Sequence, residues 1–355
     1  MEIVFNQVKD SRRSATDMTN IPFGRVFTDH MFEMDFRDGQ WLQPRICPVD
    51  AIPIHPANLT LHYGQSIFEG MKASKNSEGI PLLFRPEAHA HRLNASASRM
   101  CMPNIEVEDF VEACRQMVII EKDWIPEQEG SALYLRPFMF ATDEFLGVAP
   151  SETYKFIILT LPVAPYYSKP VKLYASTKYI RAAQGGVGEA KTAGNYAASL
   201  FASKQARAKG FDQVLWLDGK EFKYAQEVGT MNIFFVIGDV VITPPTDGAI
   251  LKGITRDCFL HILNQKGYKV EERPISMEEV VTANDEGRLQ EVFGSGTAAV
   301  AVDVCQIGYR DTLIELQPAA DSLAQQLKTE INGMRTGQIP DTFGWVEPAF
   351  AVENA

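Results

Sequence analysis

The sequence predicts a mixed α/β protein built from two domains, and three observations support that class. At 355 residues the chain exceeds the length at which one hydrophobic core usually stops growing. Apolar segments with helical spacing and apolar segments typical of strands alternate along the chain. A proline-rich stretch, "PVAPYYSKP" at 162–170, interrupts this pattern near the middle. We therefore expect a small N-terminal α/β domain over 1–161, a linker over 162–170 and a larger C-terminal domain over 171–355.

The first half of the chain carries clear signals for strands and helices. Residues 81–100 predict a short strand that runs into a helix ending before Pro103. Two apolar segments, 132–140 and 155–161, predict strands. Between the first helix and these two strands, the sequence predicts a second helix that faces the core. Its apolar residues follow the i, i+3, i+4, i+7 spacing: Val107, Phe110, Val111, Cys114, Met117 and Val118.

The second half alternates predicted strands and helices in the same way. Aspartate and glycine pairs between apolar runs are typical of hairpin turns, and Ser276 with Glu279 is typical of a helical capping box. The predicted elements, in order, are a strand over 171–177, a helix from about Asn195 to Gly210, hairpins turning at 218–219 and 238–239, and helices over 255–265, from 276, and over 319–331.

Composition and charge limit the partners that the chain can have. With 45% hydrophobic and 22% charged residues it resembles an ordinary globular protein, and its net charge of -11 argues against binding nucleic acid or an anionic membrane. No apolar run reaches the length of a membrane span, and the N-terminus lacks the apolar region of a signal peptide. We therefore expect a cytoplasmic protein.

The cysteines and histidines do not predict a metal site. His89 and His91 are two residues apart, and on a helix such side chains diverge. The five cysteines are dispersed with no CxxC spacing, which is typical of buried thiols in a reducing compartment: Cys47, Cys101, Cys114, Cys258 and Cys305.

The stretch "QGGVGEAKTAGNYAAS" at 184–199 places one cation, Lys191, among four glycines just before a predicted helix. A solvated surface loop, a phosphate-binding loop and a Schiff-base lysine all fit this pattern. The phosphate loop G-x-x-x-x-G-K-[ST] fails, because Ala190 occupies its second glycine position. The surface loop and the Schiff-base lysine remain.

A Schiff-base enzyme that uses pyridoxal phosphate needs three further sites, and the sequence offers a candidate for each. Gly253, Ile254 and Thr255 stand at a predicted helix start, where free N–H groups favour a phosphate. Glu227 directly precedes an apolar strand and could pair with a pyridinium. The turn over 294–298 could bind a carboxylate through its N–H groups. Each of these features alone also has an ordinary structural explanation.

Their order along the chain is more specific. Together, "KTAGNY", "EVGTMNIF", "TPPTDGAILKGITRD" and "EVFGSGTA" resemble the branched-chain amino-acid aminotransferases, which are fold-type IV enzymes dependent on pyridoxal 5'-phosphate. The resemblance reaches back through "LHYGQSIFEGMKA", "LFRPEAHAHRL" and "LYLRPF", and covers roughly 20–350. It implies the D-amino-acid aminotransferase-like fold, with two α/β domains and the cofactor between them.

The resemblance also assigns residues to the cofactor. It implies that Lys191 forms the aldimine and moves the substrate's α-proton. It also implies that Glu227 keeps the pyridine nitrogen of the cofactor protonated. Tyr196 is assigned to the phenolic oxygen of the cofactor. The residues implied for the phosphate and its surroundings are Arg92, Gly253, Ile254, Thr255 and Thr297. Without the resemblance, Arg92 would be taken for a surface helix arginine.

The substrate residues are implied in the same way. Main-chain N–H groups of Thr297 and Ala298, assisted by Tyr134, would bind the α-carboxylate. Arg136, two residues from Tyr134 and so on the same strand face, would bind the γ-carboxylate of glutamate; the alternative is an ion pair with Asp143 or Glu144. The side-chain pocket is assigned to Tyr63, Phe68, Tyr166, Thr230 and, from a second subunit, Val148.

The implied reaction moves the amino group of leucine, isoleucine or valine onto 2-oxoglutarate in a homodimeric enzyme. Within the same fold, the alternatives are a D-amino-acid aminotransferase and an aminodeoxychorismate lyase. A pyridoxal-phosphate-binding regulatory or carrier protein without catalysis is the alternative from another class. Some relatives carry a CxxC after the Thr-Ala pair, whereas this chain has "TAAVAV", so thiol-based redox control is not expected there.

Overall fold

The computed structural model describes residues 1–167 and 169–350. Its strands, in chain order, are β1 (Val4–Phe5), β2 (His30–Arg37), β3 (Gln40–Trp41), β4 (Arg45–Pro48), β5 (Ser66–Phe68), β6 (Met71–Lys75), β7 (Pro81–Phe84), β8 (Ala132–Ala141), β9 (Tyr154–Val163), β10 (Val171–Ala175), β11 (Gln213–Leu217), β12 (Ala225–Val228), β13 (Met231–Ile237), β14 (Val240–Thr243), β15 (Lys269–Glu272), β16 (Leu289–Gly296), β17 (Val300–Tyr309), β18 (Thr312–Glu315) and β19 (Val346–Pro348). Its α-helices are α1 (Leu59–Tyr63), α2 (Pro86–Arg99), α3 (Val107–Ile120), α4 (Ala193–Ala208), α5 (Ile254–Gln265), α6 (Met277–Asp285) and α7 (Leu323–Arg335).

The described chain forms two compact units. Unit 1 contains residues 1–166, 190–193 and 332–350, and unit 2 contains the rest, 167–189 and 194–331. The division therefore falls inside the predicted linker, although Pro162 and Val163 still belong to β9 and Ser168 lies outside the described residues. The chain does not divide in simple order, because β19 pairs with β7 and returns the C-terminal segment to unit 1.

Unit 1 is a sheet with two helices on one face. The sheet order is β1-β4-β2-β9-β8-β6-β7-β19, with β3 on β2 and β5 on β8. Helices α2 and α3 contribute to the same core as the alternate β8 residues Leu133, Leu135 and Met139. The side chains between them, including Tyr134 and Arg136, therefore lie on the opposite face of the sheet, as the strand alternation predicts.

Unit 2 is built on a mixed sheet in the order β12-β11-β10-β17-β16-β13-β14-β15, with β18 on β17. Because β12 also pairs with β13, the first six of these strands close into a ring. Helix α6 packs its buried residues into the core of this unit, and Ser276 caps it by accepting the N–H of Glu279 at 3.0 Å. The Glu279 carboxylate, however, binds Arg273.

Most predicted elements are confirmed, and the structure differs from the predictions at four places. The hairpin after Asp218 has a longer loop than predicted, since the Asp218 carboxylate accepts four backbone N–H groups before β12 begins. Glu227 lies within β12 instead of before a strand. Strand β16 extends through Gly296, which leaves a shorter turn over 297–299. Cys101 is exposed, so the expectation of buried thiols is wrong there.

No helix in the described part of the chain is long and apolar enough to cross a membrane. No group of three or more histidine, cysteine, aspartate or glutamate side chains in this part of the chain could hold a metal ion.

Candidate active site

Lys191 is held in unit 1 by its main chain. Its N–H donates to Ser96 Oγ at 2.9 Å, and its carbonyl accepts the N–H of Phe68 at 3.0 Å. The next residue, Thr192, donates its hydroxyl to the carbonyl of Ser66 at 2.7 Å. The short segment 190–193 is therefore fastened to β5 and α2. Lys191 is half-buried, which contradicts a solvated surface loop at this residue.

The ring of Phe68 lies close to two cations. Lys191 Nζ is 4.9 Å from the centre of the ring, and Arg136 Cζ is 4.7 Å from it. Both distances are within the range of a cation–π interaction. Two positively charged side chains therefore lie against one aromatic ring.

Arg136 has no acidic partner among the described residues. Its Nη2 donates to the hydroxyl of Tyr134 at 3.0 Å, and its buried Nε has no hydrogen-bond partner in the described chain. Asp143 instead accepts from Thr153 and from the main-chain N–H of Glu152. The alternative of a local ion pair with Asp143 or Glu144 is therefore wrong. A buried guanidinium N–H without a partner is costly, and a carboxylate ligand would satisfy it.

Tyr134 fits only because a glycine faces it. A Cβ placed on Gly70 would lie 1.9 Å from the Tyr134 hydroxyl oxygen, closer than any real contact. Phe23 packs edge-on against Tyr134, with ring centres 5.7 Å apart, and against Tyr166, at 5.0 Å. Tyr134, Tyr166 and the Arg136 guanidinium are thus joined through direct contacts within unit 1.

Arg92 is clamped by a buried carboxylate. Its Nε and Nη2 donate to the two carboxylate oxygens of Glu69 at 2.7 Å and 2.8 Å. Glu69 is fully buried, and His89 Nδ1 lies 2.8 Å from one of the same oxygens. Only 10% of the Arg92 side chain is exposed, so a surface arginine is the wrong description. Bidentate pairing of this kind fixes the plane of the guanidinium.

The pKa values in this group follow from burial and charge. Burial alone would raise the pKa of Glu69, but Arg92 and the His89 hydrogen bond hold that pKa well below its usual value. Burial lowers the pKa of His89, and the positive charges of Arg92 and Lys191 lower it further against the opposing effect of Glu69. Glu69 is therefore ionised and His89 neutral at pH 7.

Unit 2 contains a second buried acid with an arginine. Glu227 is buried on β12, where Arg181 forms an ion pair with it and Asn232 Nδ2 lies 3.4 Å from its Oε1. Arg181 also donates to the carbonyls of Gly188 and Ala249. A small cavity of unit 2 is lined by Glu227, Arg181, Tyr196, Thr230 and their neighbours Asn195, Ser199, Gly229 and Leu251.

The first turn of α5 has no side-chain cap. Gly253 is the N-cap of this helix, and Ile254 and Thr255 are its first residues. A Cβ on Gly253 would lie 1.9 Å from Asn232 Oδ1, so a larger residue here would require Asn232 to move. Uncapped N–H groups together with the helix dipole favour a phosphate or carboxylate.

The remaining predicted residues lie elsewhere in their units. Thr297 and Ala298 are half-buried in the turn between β16 and β17. Tyr63 ends α1 and is 44% exposed, and Val148 is 90% exposed on a loop.

Sequence reasoning missed four residues that hold the predicted ones in place: Glu69, His89, Ser96 and Arg181. Three of these had some signal, since Glu69 follows Phe68 in "FEG", and His89 and Ser96 lie on the Arg92 face of α2 at helical spacing. Arg181 in "KYIRAA" lies far before Glu227 in the sequence, and no local pattern links the two.

Comparisons with known proteins identify relatives of the chain. The family model described as amino-transferase class IV matches residues 66–307. The chain is 46% identical over 354 residues to branched-chain-amino-acid aminotransferase 2 of Bacillus subtilis (strain 168), covering 98% of each chain. Among solved structures, it is similar to the T.th. branched-chain amino acid aminotransferase with pyridoxamine 5'-phosphate (TM-score 0.75, 26% identity, 92% and 100% coverage). The same enzyme complexed with N-(5'-phosphopyridoxyl)-L-glutamate gives a TM-score of 0.74 at 25% identity, with 92% and 100% coverage.

Proposed function

The chain belongs to the amino-transferase class IV family, and from that membership we infer that it is a branched-chain-amino-acid transaminase dependent on pyridoxal 5'-phosphate. It transfers the amino group of leucine, isoleucine or valine to 2-oxoglutarate, giving the branched-chain 2-oxo acid and glutamate. The observation that carries this conclusion to individual residues is the placement of Lys191 and Arg136 at one ring, Phe68.

The residues present fit pyridoxal phosphate. The uncapped start of α5 suits a phosphate, and Arg92, with its plane fixed by Glu69, suits the same group. Glu227 is a buried carboxylate in a cavity that Tyr196 also lines, as a pyridinium nitrogen and a phenolic oxygen require. When bound, the cofactor would supply an electron sink for the α-carbon of the substrate amino acid.

We assign the chemical steps of this chain to three side chains. Lys191 Nζ would hold the cofactor covalently and would move the α-proton of the substrate. The Glu227 carboxylate, which forms an ion pair with Arg181, would hold the proton on the pyridine nitrogen. Tyr196 would donate a hydrogen bond to the phenolic oxygen.

Substrate binding is assigned to unit 1 and to the 297–299 turn. The main-chain N–H groups of Thr297 and Ala298, with Tyr134, bind the α-carboxylate. Arg136 binds the γ-carboxylate of 2-oxoglutarate, and its buried, unpartnered Nε in the described chain supports this role. The branched side chains lie against apolar and aromatic residues, which we propose to be Phe68, Tyr63, Tyr166, Thr230 and Val148.

We further propose a homodimer in which Val148 completes the partner's pocket. Val148 and Leu146 are 90% and 66% exposed, and Leu61 of α1 is 62% exposed. Segment 143–144 contacts the start of α1, since Asn58 bridges to Glu144. An exposed apolar patch is typical of a protein interface, and we propose that these side chains form one. Leu146→Asp should shift the mass measured by light scattering from dimer to monomer.

A cytoplasmic location remains a proposal as well. The five cysteines form no disulfide in the structure, which supports a reducing compartment.

A panel of amino donors and keto acids tests the proposed reaction. Purified protein with pyridoxal phosphate should convert L-leucine, L-isoleucine and L-valine with 2-oxoglutarate, and should not use D-leucine or D-alanine. Turnover of the D-amino acids in place of the branched L-amino acids would show that the enzyme is a D-amino-acid aminotransferase.

A further inference from the structure

We propose that Ser96 is a positioning residue for Lys191. The Ser96 hydroxyl fixes the main chain of Lys191 against helix α2, which also carries Arg92. This inference rests on the proposed function, in which Lys191 binds the cofactor and Arg92 its phosphate.

One hydroxyl connects the two residues. Ser96 is 1% exposed and lies one helical turn after Arg92, and its Oγ donates to the Arg92 carbonyl at 3.0 Å. A serine hydroxyl has one hydrogen to donate and two lone pairs. Because the hydrogen is directed to Arg92, a lone pair is left to accept the N–H of Lys191 at 2.9 Å.

The other side of the lysine is held independently. The Lys191 carbonyl accepts the N–H of Phe68 at 3.0 Å, and Thr192 donates to Ser66 at 2.7 Å. With the N–H held by Ser96 and the carbonyl held by β5, the direction in which the side chain leaves the backbone is fixed. From there the side chain extends to the Phe68 ring, with Nζ 4.9 Å from the ring centre.

Removing the hydroxyl releases one of these two restraints. Ser96 is buried, so water does not readily replace its oxygen as the acceptor for Lys191. A reacting group misplaced by about 1 Å can lose roughly a hundredfold in rate, even where substrate binding is unaltered. The effect should therefore appear in steps that use Lys191 Nζ and much less in the KM for leucine.

Ser96→Ala tests the inference, with Ser98→Ala as the matched control. Ser98 is on the same helix but exposed, and its hydroxyl bonds only to Asn104, at 3.3 Å, among the described residues. Full-length protein freed of cofactor is mixed with pyridoxal phosphate, and covalent attachment to Lys191 is followed by visible absorbance. In Ser96→Ala we expect the attachment rate and kcat to fall about tenfold to a hundredfold. The KM for leucine should change by less than about threefold, and Ser98→Ala should match wild type.

Several results would overturn the proposal. Attachment in Ser96→Ala at the wild-type rate would show that the hydroxyl does not position the lysine, and a slower rate with an equal loss of helical circular dichroism would show a role in folding only. If this variant does not fold, hydrogen exchange in the cofactor-free wild type decides, since the Lys191 amide should be protected like the amides of α2, and an unprotected amide would contradict the proposal. Wild-type protein that attaches no cofactor would overturn the proposed function, and this inference with it.

Discussion

Two arginines of unit 1 are held in opposite ways. Arg92 on α2 is clamped by two hydrogen bonds to the buried carboxylate of Glu69, so its charge is neutralised inside the protein. Arg136 on β8 contacts a tyrosine hydroxyl and the face of Phe68, and no acid among the described residues pairs with it. The clamped arginine has one fixed orientation, which suits a resident cofactor. The arginine without an acidic partner suits a charged group that comes and goes with each turnover.

The first prediction concerns the lysine that shares a ring with Arg136. Lys191→Ala should lower leucine transamination below detection, because covalent binding of the cofactor and proton transfer are both lost. Purified variant and wild type would be compared in the coupled leucine assay. Ordinary rates in the variant would remove the reason to place substrate beside Phe68 and Arg136.

The second prediction concerns the Glu227–Arg181 ion pair of unit 2. It tests whether Glu227 acts on the cofactor or only pairs with an arginine, as Glu69 does with Arg92. Glu227→Gln should retain pyridoxal phosphate but slow turnover by about 10² to 10⁴-fold, the range for a positioned acid or base. Equilibrium dialysis and kcat measure the two effects separately. If the variant fails to bind cofactor while folding normally, or turns over at the wild-type rate, Glu227 does not act on the pyridine nitrogen.

The third prediction concerns the ion pair between Arg92 and Glu69. Arg92→Met leaves the buried Glu69 carboxylate without its arginine, with only the His89 ring and the N–H of Gly70 bonded to it, which should lower the free energy of unfolding by about 3 to 5 kcal/mol. Affinity for pyridoxal phosphate should also fall, with activity partly restored at saturating cofactor. Urea unfolding and cofactor titration check these effects, and Arg136→Met is the control, because no buried acid loses its partner there. If both substitutions lowered the free energy of unfolding equally, Arg92 and Arg136 would not differ in their pairing with a buried acid.

The fourth prediction concerns how the contribution of Glu69 to the free energy of unfolding depends on pH. Since the folded-state pKa of Glu69 lies below the unfolded value, its contribution to stability is complete above the unfolded pKa and is lost as pH falls. The stability difference between wild type and Glu69→Gln should therefore narrow below about pH 4.5, by roughly 1.4 kcal/mol per pH unit. Urea unfolding between about pH 3 and pH 7 measures this slope. A difference that is independent of pH would mean that Glu69 is not ionised in the folded protein.

The smallest predicted effect belongs to the arginine without an acidic partner. Arg136→Met should raise the KM for 2-oxoglutarate about tenfold, as expected from the loss of roughly 1.4 kcal/mol of binding, with little change for leucine. Stability should change little, since no carboxylate is left behind. Steady-state kinetics with each substrate varied separately checks this. Equal losses for both substrates would place Arg136 at the shared α-carboxylate site or in the fold.

The sequence predicted the elements of the fold better than the contacts that hold the candidate site residues in place. Lys191, Glu227 and the start of α5 were singled out by the order of short motifs along the chain, and the resemblance to a family implied their roles. Glu69 and Arg181 act over longer separations: Glu69 contacts Arg92, 23 positions away, and Arg181 contacts Glu227. Such pairs are formed by tertiary packing, and no local period encodes them. The return of β19 to unit 1 was missed for the same reason.

The most direct test of the account is to locate the covalent cofactor. Purified protein is saturated with pyridoxal phosphate, reduced with borohydride, digested and analysed by mass spectrometry. The account predicts a yellow protein with the added mass on Lys191 alone, and no added mass when leucine has first converted the cofactor to its amine form. Added mass on another lysine, such as the buried Lys72 of β6, or on none, would contradict the assignment of Lys191.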